Sequence, residues 1–454
     1  MKVIERRYLL PFVLVTSLFA LWGLANNMTD TLLAAFKKIM QMSDTQTSFI
    51  QMAFYGAYFC LALPAALFIR KHSYKSGVIL GLCLYAAGAI LFLPAASAAS
   101  YAFYLIAIYI MAAGCSVLET TANPYIMSMG SPETATRRLN IAQSFNPIGS
   151  ILGILVSKYF ILQDISLYSV SGTYAAVGVV LIAIMVVMLF SKMPDASTAS
   201  TGPSTGPSTG SGTGSGTGSA TVEERGSLSP TAPELVEGTN KASFKRLFNN
   251  KKYIGGVIAQ FFYVGAQIGV WSFTIRLVMK ELDMVEAQAA TLYLISIIGF
   301  CASRFIYTWL MKFVEPRKLL VAGSVLSAVC ALLVVLSGGW LCVVALVLIS
   351  VFMSLMFPTI YGIALGSVSG PSTLRQAQGP KDSGAGSGTE DVKIGASGLI
   401  MAILGGALIT PLQGMVSDAS TINMSYLVPM GCFVVVLLYA LGHGPSTGSG
   451  TEGK

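Results

Sequence analysis

Residues 100–129 read SYAFYLIAIYIMAAGCSVLETTANPYIMSM, a long run in which Glu119 is the single charged side chain. An α-helix needs about 20 mainly apolar residues to cross the hydrocarbon core of a bilayer. The run is long enough for one such helix, and Gly and Pro within it are common in membrane helices. This stretch therefore predicts a transmembrane helix that carries a carboxyl group.

The composition of the whole chain agrees with a membrane protein. Of its 454 residues, 54% are apolar and 11% are charged, whereas soluble domains carry about 25% charged residues. Similar apolar runs recur six times before a long polar interval and six times after it. The predicted spans are 8–34, 46–69, 76–96, 100–129, 140–162, 170–191, 251–280, 287–312, 318–337, 340–367, 394–417 and 423–443. We therefore expect an all-α membrane protein with twelve transmembrane helices in two six-helix bundles.

Lysine and arginine residues are distributed unevenly between the loops. When alternate loops are assigned to opposite sides, one side receives Lys2, Arg6, Arg7, Arg70, Lys71, Lys75, Arg137, Arg138, Lys312, Arg317 and Lys318. The other side receives Lys37, Lys38, Lys158 and Lys280. The positive-inside rule then places both termini and the polar interval in the cytoplasm. The net charge of +8 is explained by topology, and no nucleic-acid partner is expected.

The polar interval has the composition of a flexible tether. Residues 200–219 contain only Gly, Ser, Thr and Pro, which cannot bury enough apolar surface to fold. We expect an N-terminal bundle at 1–192, a flexible cytoplasmic linker at 193–250 and a C-terminal bundle at 251–443. The sequence GPST recurs at Gly202, Gly370 and Gly444, which indicates expendable insertions, namely a polar insert at about 370–392 and a disordered tail at 444–454. A Ser/Thr tract regulated by phosphorylation is the alternative.

Prolines occur at corresponding positions in the two halves. Pro124 lies late in span 4 and Pro358 late in span 10, while Pro147 and Pro411 occupy spans 5 and 11. Paired bundles with interrupted helices at matching positions are typical of alternating-access transporters, which bind substrate between the halves near the midplane. A chance match is the alternative, because proline is common in membrane helices.

Two acidic residues inside spans are candidates for proton coupling. Glu119 is flanked by apolar turns of span 4, where an ionised carboxylate costs several kcal/mol and is usually protonated or faces a wet cavity. Asp30 lies deep in span 1, after Asn26, Asn27 and Thr29. The alternatives are a permanently neutral, hydrogen-bonded Glu119 and an interfacial Asp30. Asp418, at the edge of span 11, is a weaker candidate.

Amide and aromatic side chains inside the spans are typical of a sugar site, which needs hydrogen-bonding groups and a ring on an apolar wall. The candidates for substrate binding are Glu119, Asn123, Gln143, Asn146, Gln267, Trp22 and Trp271. The members of each pair on spans 4, 5 and 7 are three or four residues apart and share a helical face. For any single amide, hydrogen bonding between helices is the alternative, and Trp22 alone is compatible with simple packing.

Other intramembrane charges and several absences complete the sequence prediction. We expect Arg276 and Arg304 to extend toward a membrane interface, with a gating ion pair as the alternative. The two histidines, His72 and His443, lie at helix ends, so neither a histidine metal site nor a Ser-His-Asp triad is expected. No phosphate-binding G-x-x-x-x-G-K-[ST] loop occurs. We expect no enzyme activity, no cofactor and no metal, and transport driven by an ion gradient.

Eight segments together resemble the L-fucose:proton symporter family of the major facilitator superfamily, which also includes glucose/galactose transporters. They cover both halves and read ANNMTDTLL (25–33), FYGAYF (54–59), LPAALFIRKHSYKSG (63–77), LETTANPYI (118–126), RRLNIAQSFNPIG (137–149), YVGAQIGVWS (263–272), FPTIYG (357–362) and ITPLQGMVSDA (409–419). The resemblance does not extend to the two polar inserts and the tail.

The resemblance implies a twelve-helix transporter that couples proton and sugar movement. It implies that Asp30 and Glu119 are the key carboxylates, that Gln143 and Asn146 bind sugar, and that Trp22 and Trp271 contribute as well. It also implies a tyrosine before the Pro-Thr-Ile of span 10, where this chain has Phe357. That departure leaves the family prediction intact and weakens the specific prediction of L-fucose.

The predicted function is uptake of a neutral monosaccharide, L-fucose by preference, together with a proton. The expected location is the bacterial inner membrane, and the expected partners are a monosaccharide, a proton and the lipid bilayer, with the monomer as the functional unit. Three alternatives remain: a glucose/galactose or other hexose transporter, a proton-independent sugar facilitator, and a non-transporting sugar sensor that signals through the linker.

Overall fold

The computed structural model describes residue 4 and residues 8–41, 44–161, 166–191, 243–368 and 385–442. The spans of the N-terminal half are Leu9–Ile39, Asp44–Lys71, Tyr74–Ile90 continued by Phe92–Ser97, Tyr101–Ser128, Ala135–Gln143 continued by Asn146–Val156, and Leu167–Phe190. Those of the C-terminal half are Lys251–Leu282, Glu286–Leu310, Pro316–Leu336, Gly339–Met353 continued by Met356–Val368, Ala385–Met401 continued by Gly405–Ala419, and Leu427–Gly442. We number them spans 1 to 12.

The length and hydropathy of these helices confirm the prediction of a multi-pass membrane protein. Within the described residues, 11 helical segments are long and apolar enough to cross a membrane, and a shorter apolar helix, Leu9–Ala25, forms the first part of span 1. Large apolar side chains cover the outside of the molecule, including Val179 at 64% exposure and Leu438 at 63%. Such a surface requires contact with lipid.

Short polar side chains fix where several spans begin. The hydroxyls of Ser73, Ser100 and Ser166 accept hydrogen bonds from the backbone N–H of the residue three positions later, at the starts of spans 3, 4 and 6. The Asn250 side chain accepts from two N–H groups at the start of span 7. Each of these caps satisfies N–H groups that have no partner within the helix.

Glycines bring equivalent helices of the two halves into backbone contact. A Cβ atom on Gly149 of span 5 would lie 1.7 Å from the Ala20 oxygen of span 1, and one on Gly405 of span 11 would lie 1.9 Å from the Phe261 oxygen of span 7. Spans 1 and 5 therefore pack as spans 7 and 11 do. This correspondence supports an internal repeat of six helices, as the matching prolines indicate.

The two halves touch each other toward one end of the molecule. We call this the linker end, because span 6 ends there at Phe190 and span 7 begins there at Lys251. The Lys393 ammonium of span 11 donates to the Ile69 carbonyl of span 2 at 3.3 Å and lies 5.3 Å from the centre of the Tyr74 ring. These contacts join the first half to the second.

The structure moves two of the sequence-derived boundaries. Residues 243–249, assigned to the linker, form a short helix, and its Arg246 pairs with Asp391 through two hydrogen bonds of 2.7 Å. Span 11 begins at Ala385 instead of residue 394, so the polar insert is shorter than predicted at its C-terminal side. The polar, Gly-rich composition of the two regions did not reveal that Arg246 pairs with Asp391 or that span 11 begins at Ala385. The tract at 200–219, most of the insert and the tail lie outside the described residues.

Candidate functional site

The centre of the candidate site is a buried polar group on spans 4 and 5. Glu119 is 6% exposed, Gln143 is 4% exposed and Asn123 is fully buried. The Gln143 amide donates to the Asn123 Oδ1 atom at 2.9 Å, and Asn123 lies one helical turn after Glu119. Among the described residues, no hydrogen bond or ion pair reaches the Glu119 carboxyl. The structure thus brings together three of the predicted site residues.

The other half contributes a tyrosine hydroxyl to this group. Tyr361 of span 10 is fully buried, and its hydroxyl lies near the Asn123 amide of span 4. Among the described residues, neither the Tyr361 hydroxyl nor the Asn123 Nδ2 atom makes a hydrogen bond of normal length. Buried polar atoms are nearly always hydrogen-bonded. These two therefore mark a place where water or a ligand hydroxyl can bind.

Trp22 joins the site through an intermediate residue. Its indole N–H donates to the Tyr58 hydroxyl at 2.5 Å, and its ring stacks on Phe19 at 5.4 Å. Tyr58 in turn contacts span 4, because its backbone carbonyl accepts a hydrogen bond from the Ser116 hydroxyl at 3.2 Å. Because Trp22 is only 4% exposed, its ring is packed between helices in this conformation.

Asn146 contacts span 1 instead of the central polar group. Its amide donates to the Phe19 carbonyl at 3.3 Å. Hydrogen bonding between helices was the alternative to sugar binding for each amide, and in this conformation the Asn146 amide group is used in that way. Its side chain is partly exposed.

Gln267 and Trp271 lie on span 7, in the second half. The Trp271 indole N–H donates to the Ser350 hydroxyl at 3.3 Å, and its ring meets the Phe300 ring edge-on at 5.1 Å. Gln267 is partly exposed. Among the described residues, no hydrogen bond joins either of these two side chains to the first half.

Four remaining candidates have different outcomes. The backbone of Asp30 belongs to span 1, but its side chain lies outside the described residues. Asp418 is exposed at the end of span 11 and Arg276 is exposed on span 7, over the Phe273 ring at 4.4 Å. The prediction that Arg304 extends to an interface is wrong, because Arg304 is 3% exposed and bonds to carbonyls inside the protein.

Arg138 fixes span 4 relative to span 5. This fully buried side chain donates to the Ile126 carbonyl at 2.8 Å, to the Thr134 hydroxyl at 3.0 Å and to the Met127 carbonyl. A cation among the last carbonyls of a helix is favoured by the helix dipole. Arg138 therefore sets the relative position of the helices that carry Asn123 and Gln143.

Sequence reasoning missed Tyr58, Arg138, Arg304 and Tyr361 as parts of the site. The signal for Arg304 was its position inside an apolar span, and the signal for Tyr361 was its place one turn after Phe357. Together the buried groups offer a carboxyl that can hold a proton and amide and phenol groups that can bind hydroxyls. A buried polar site at the contact between two helical bundles defines a membrane carrier.

Comparison with known proteins agrees with this class. The sequence model described as Major Facilitator Superfamily matches residues 13–379. An L-fucose-proton symporter of Haemophilus influenzae is 38% identical, over 96% of this chain and 97% of that protein. An L-fucose-proton symporter of Escherichia coli is 32% identical, over 96% and 93%. A glucose/galactose transporter of Brucella abortus is 28% identical, over 96% and 95%.

Solved structures give the same result. A crystal structure of the transporter FucP in the outward conformation superposes with a TM-score of 0.76 at 32% identity, covering 96% of this chain and 99% of that one. The proton:xylose symporter XylE superposes with a TM-score of 0.69 at 11% identity, over 96% of each chain, which shows the fold alone. The chain belongs to the major facilitator superfamily, and its fold is the twelve-helix fold that the sequence predicts.

Proposed function

We propose that this protein is a proton-coupled monosaccharide symporter whose substrate is L-fucose. The observation that carries the proposal is the buried carboxyl of Glu119, one helical turn before Asn123, which is hydrogen-bonded to Gln143. Both L-fucose-proton symporters are more similar to this chain than the glucose/galactose transporter of Brucella abortus is, at 38% and 32% against 28% identity.

Glu119 binds the proton in the proposed cycle. An ionised carboxylate inside the bilayer is costly, so a neutral Glu119 allows the halves to rearrange around it. Sugar hydroxyls bind the free hydrogen-bonding groups of Asn123, Gln143 and Tyr361. The proposed sugar site also includes Trp22 and Asn146 of the first half and Gln267 and Trp271 of the second half, which approach each other and separate as the halves move.

The contacts at the linker end support alternating access. In the proposed orientation the linker end is cytoplasmic, both termini are cytoplasmic, and the protein lies in the bacterial inner membrane as a monomer. Contact between the halves on this side favours the outward conformation, in which the neighbour FucP was crystallised. Sugar and proton binding then precede separation of the halves at the linker end.

Uptake of radiolabelled L-fucose into proteoliposomes with an inward proton gradient tests the proposal. We expect accumulation that a protonophore abolishes and that unlabelled L-fucose inhibits more strongly than D-glucose or D-galactose. For Asp30→Asn we expect exchange of sugar across the membrane without accumulation, because Asp30 links protonation to the rearrangement in this proposal. Accumulation that persists with the protonophore would indicate a facilitator, and stronger inhibition by D-glucose would identify a different substrate.

A further inference from the structure

Two prolines leave two backbone carbonyls without their helical donors. In an α-helix the carbonyl of residue i accepts from the N–H of residue i+4, and proline has no N–H. Pro147 therefore removes the donor for the Gln143 carbonyl of span 5, and Pro358 removes the donor for the Ser354 carbonyl of span 10. Both spans are interrupted at these points.

One arginine side chain satisfies both carbonyls. The Arg304 Nη1 atom donates to the Gln143 oxygen at 2.9 Å, and its Nε atom donates to the Ser354 oxygen at 2.7 Å. The first bond crosses between the halves and the second lies within the C-terminal half. The guanidinium also lies over the Phe300 ring, 4.7 Å from its centre.

The charge of Arg304 is balanced by carbonyl dipoles. Within the described part of the chain, no carboxylate forms an ion pair with Arg304, which is 3% exposed. A buried cation is tolerated only when strong hydrogen bonds replace its hydration. Gln143 is the last residue of the helix Ala135–Gln143, so its carbonyl belongs to the negative end of a helix dipole. The guanidinium has this favourable environment only while the halves are together.

The neighbouring contacts between spans 5 and 8 are weaker. The Ser144 and Thr308 hydroxyls are 3.5 Å apart, and the Phe145 and Phe305 ring centres are 6.1 Å apart. The hydrogen bond from the Arg304 guanidinium to the Gln143 carbonyl is shorter than the contact between the two hydroxyls. Because its donor is charged, it is also a stronger interaction than the hydroxyl contact or the ring contact.

We propose that Arg304 is a positioning residue that holds the two halves together at the linker end by bridging the two carbonyls that proline leaves free. The bridge also acts on the sugar site, because the Gln143 side chain bonds to Asn123. This link to the sugar site rests on the proposed function. The bridge itself is a property of the sugar-free protein and can be measured separately.

Hydrogen–deuterium exchange of the full-length protein in nanodiscs without sugar tests the bridge. The variants are Arg304→Gln, Arg304→Lys and the control Arg317→Gln. Arg317 donates to the Ala440 and Leu441 carbonyls at 2.6 and 2.8 Å, so this control loses two similar bonds within one half and none between the halves.

We expect residues 135–147 and 304–312 to exchange about tenfold faster in Arg304→Gln, the factor that corresponds to 1.4 kcal/mol. The exchange rate of these residues in Arg304→Lys should lie between the rates in Arg304→Gln and in the unmodified protein, because a lysine ammonium cannot reproduce the forked geometry that reaches two carbonyls. Arg317→Gln should leave residues 135–147 unchanged. L-fucose binding from the side opposite the linker end should weaken about tenfold in Arg304→Gln, because the binding-competent population falls.

A second variant leaves the guanidinium in place. Pro147→Ala supplies an N–H that competes for the Gln143 carbonyl, so residues 304–312, on the other side of the interface, should again exchange faster. If Arg304→Gln does not fold, Pro147→Ala alone tests whether Arg304 bridges the two halves. Exchange in Pro147→Ala equal to that of the unmodified protein would then overturn the proposal.

Two other results would also overturn the bridge. One is exchange in Arg304→Gln equal to that of the unmodified protein, and the other is the same acceleration of residues 135–147 in Arg317→Gln. Failure of the unmodified protein to bind L-fucose would reject the proposed substrate and leave the exchange result valid.

Discussion

At the scale of single residues, the site depends on polar atoms that helices alone cannot satisfy. Glu119 has its carboxyl among apolar helices, and Tyr361 and Asn123 each keep a buried polar atom with no hydrogen-bond partner in the part of the chain that the structure describes. Leaving such atoms unpaired costs about 1–3 kcal/mol each. A ligand hydroxyl that pairs with them recovers part of that free energy, which is a physical basis for binding sugars.

Replacing Tyr361 by Phe should therefore separate stability from sugar binding. Removal of a hydroxyl that has no partner should leave the melting temperature unchanged or slightly higher, whereas loss of a sugar ligand should weaken L-fucose binding about tenfold, or 1.4 kcal/mol. Isothermal titration calorimetry and thermal unfolding of the purified protein measure both quantities.

Tyr253→Phe is the matched control for this prediction. The Tyr253 hydroxyl is also buried, but it donates to the Gly395 carbonyl at 2.8 Å. Its removal should lower stability by about 1 kcal/mol and leave sugar affinity unchanged. Equal L-fucose affinity in Tyr361→Phe and the unmodified protein would exclude Tyr361 from the sugar site.

At the scale of helices, the sequence predicts the twelve spans well and their ends less well. Hydropathy finds the spans because each needs an apolar run of a certain length. It does not find that span 1 continues to Ile39 or that span 11 begins at Ala385, because polar residues can extend a helix beyond the membrane.

For the site as well, the sequence predicts some features and misses others. The prolines and the carboxyl of Glu119 are visible in the sequence. The pairing of Arg304 with the Gln143 and Ser354 carbonyls is not, because it depends on how spans 5, 8 and 10 lie against one another. The positions of Asn123 and Gln143 along their helices predict a shared cavity, whereas the use of the Asn146 amide against span 1 depends on a contact between distant parts of the chain.

The contact between spans 1 and 5 gives a prediction at this scale. Gly149→Ala should destabilise the protein by about 1–3 kcal/mol, because the new methyl group overlaps the Ala20 carbonyl and the helices must separate. Gly431→Ala, at a position with open space around its Cβ, should be neutral or stabilising by up to about 1 kcal/mol through helix propensity. Thermal unfolding of the two variants side by side measures the difference, and equal melting temperatures would contradict the close contact.

At the scale of the whole molecule, two similar bundles meet, and the contacts that the described residues make between them lie toward the linker end. Lys393 and Arg304 each donate from the second half to a backbone carbonyl of the first, at 3.3 and 2.9 Å. A backbone carbonyl exposed by separation of the halves can bond to water, so such contacts can break and re-form during a transport cycle. The fold thus combines two stable bundles with an interface that can open.

The most direct test of the central claim is proton movement that L-fucose drives across the membrane. Proteoliposomes in lightly buffered medium are given L-fucose, and the external pH is followed for the unmodified protein, Glu119→Gln and the control Glu281→Gln. Glu281 accepts hydrogen bonds from Asn423 and the Gly339 N–H on its two carboxylate oxygens, away from the site, and the single oxygen of glutamine can still accept one of them.

We expect alkalinisation of the medium with the unmodified protein and with Glu281→Gln, and none with Glu119→Gln, because glutamine cannot bind and release a proton. Alkalinisation by Glu119→Gln equal to that of the unmodified protein would contradict the assignment of the coupling site to Glu119. L-fucose uptake by the unmodified protein without any pH change would contradict proton coupling itself.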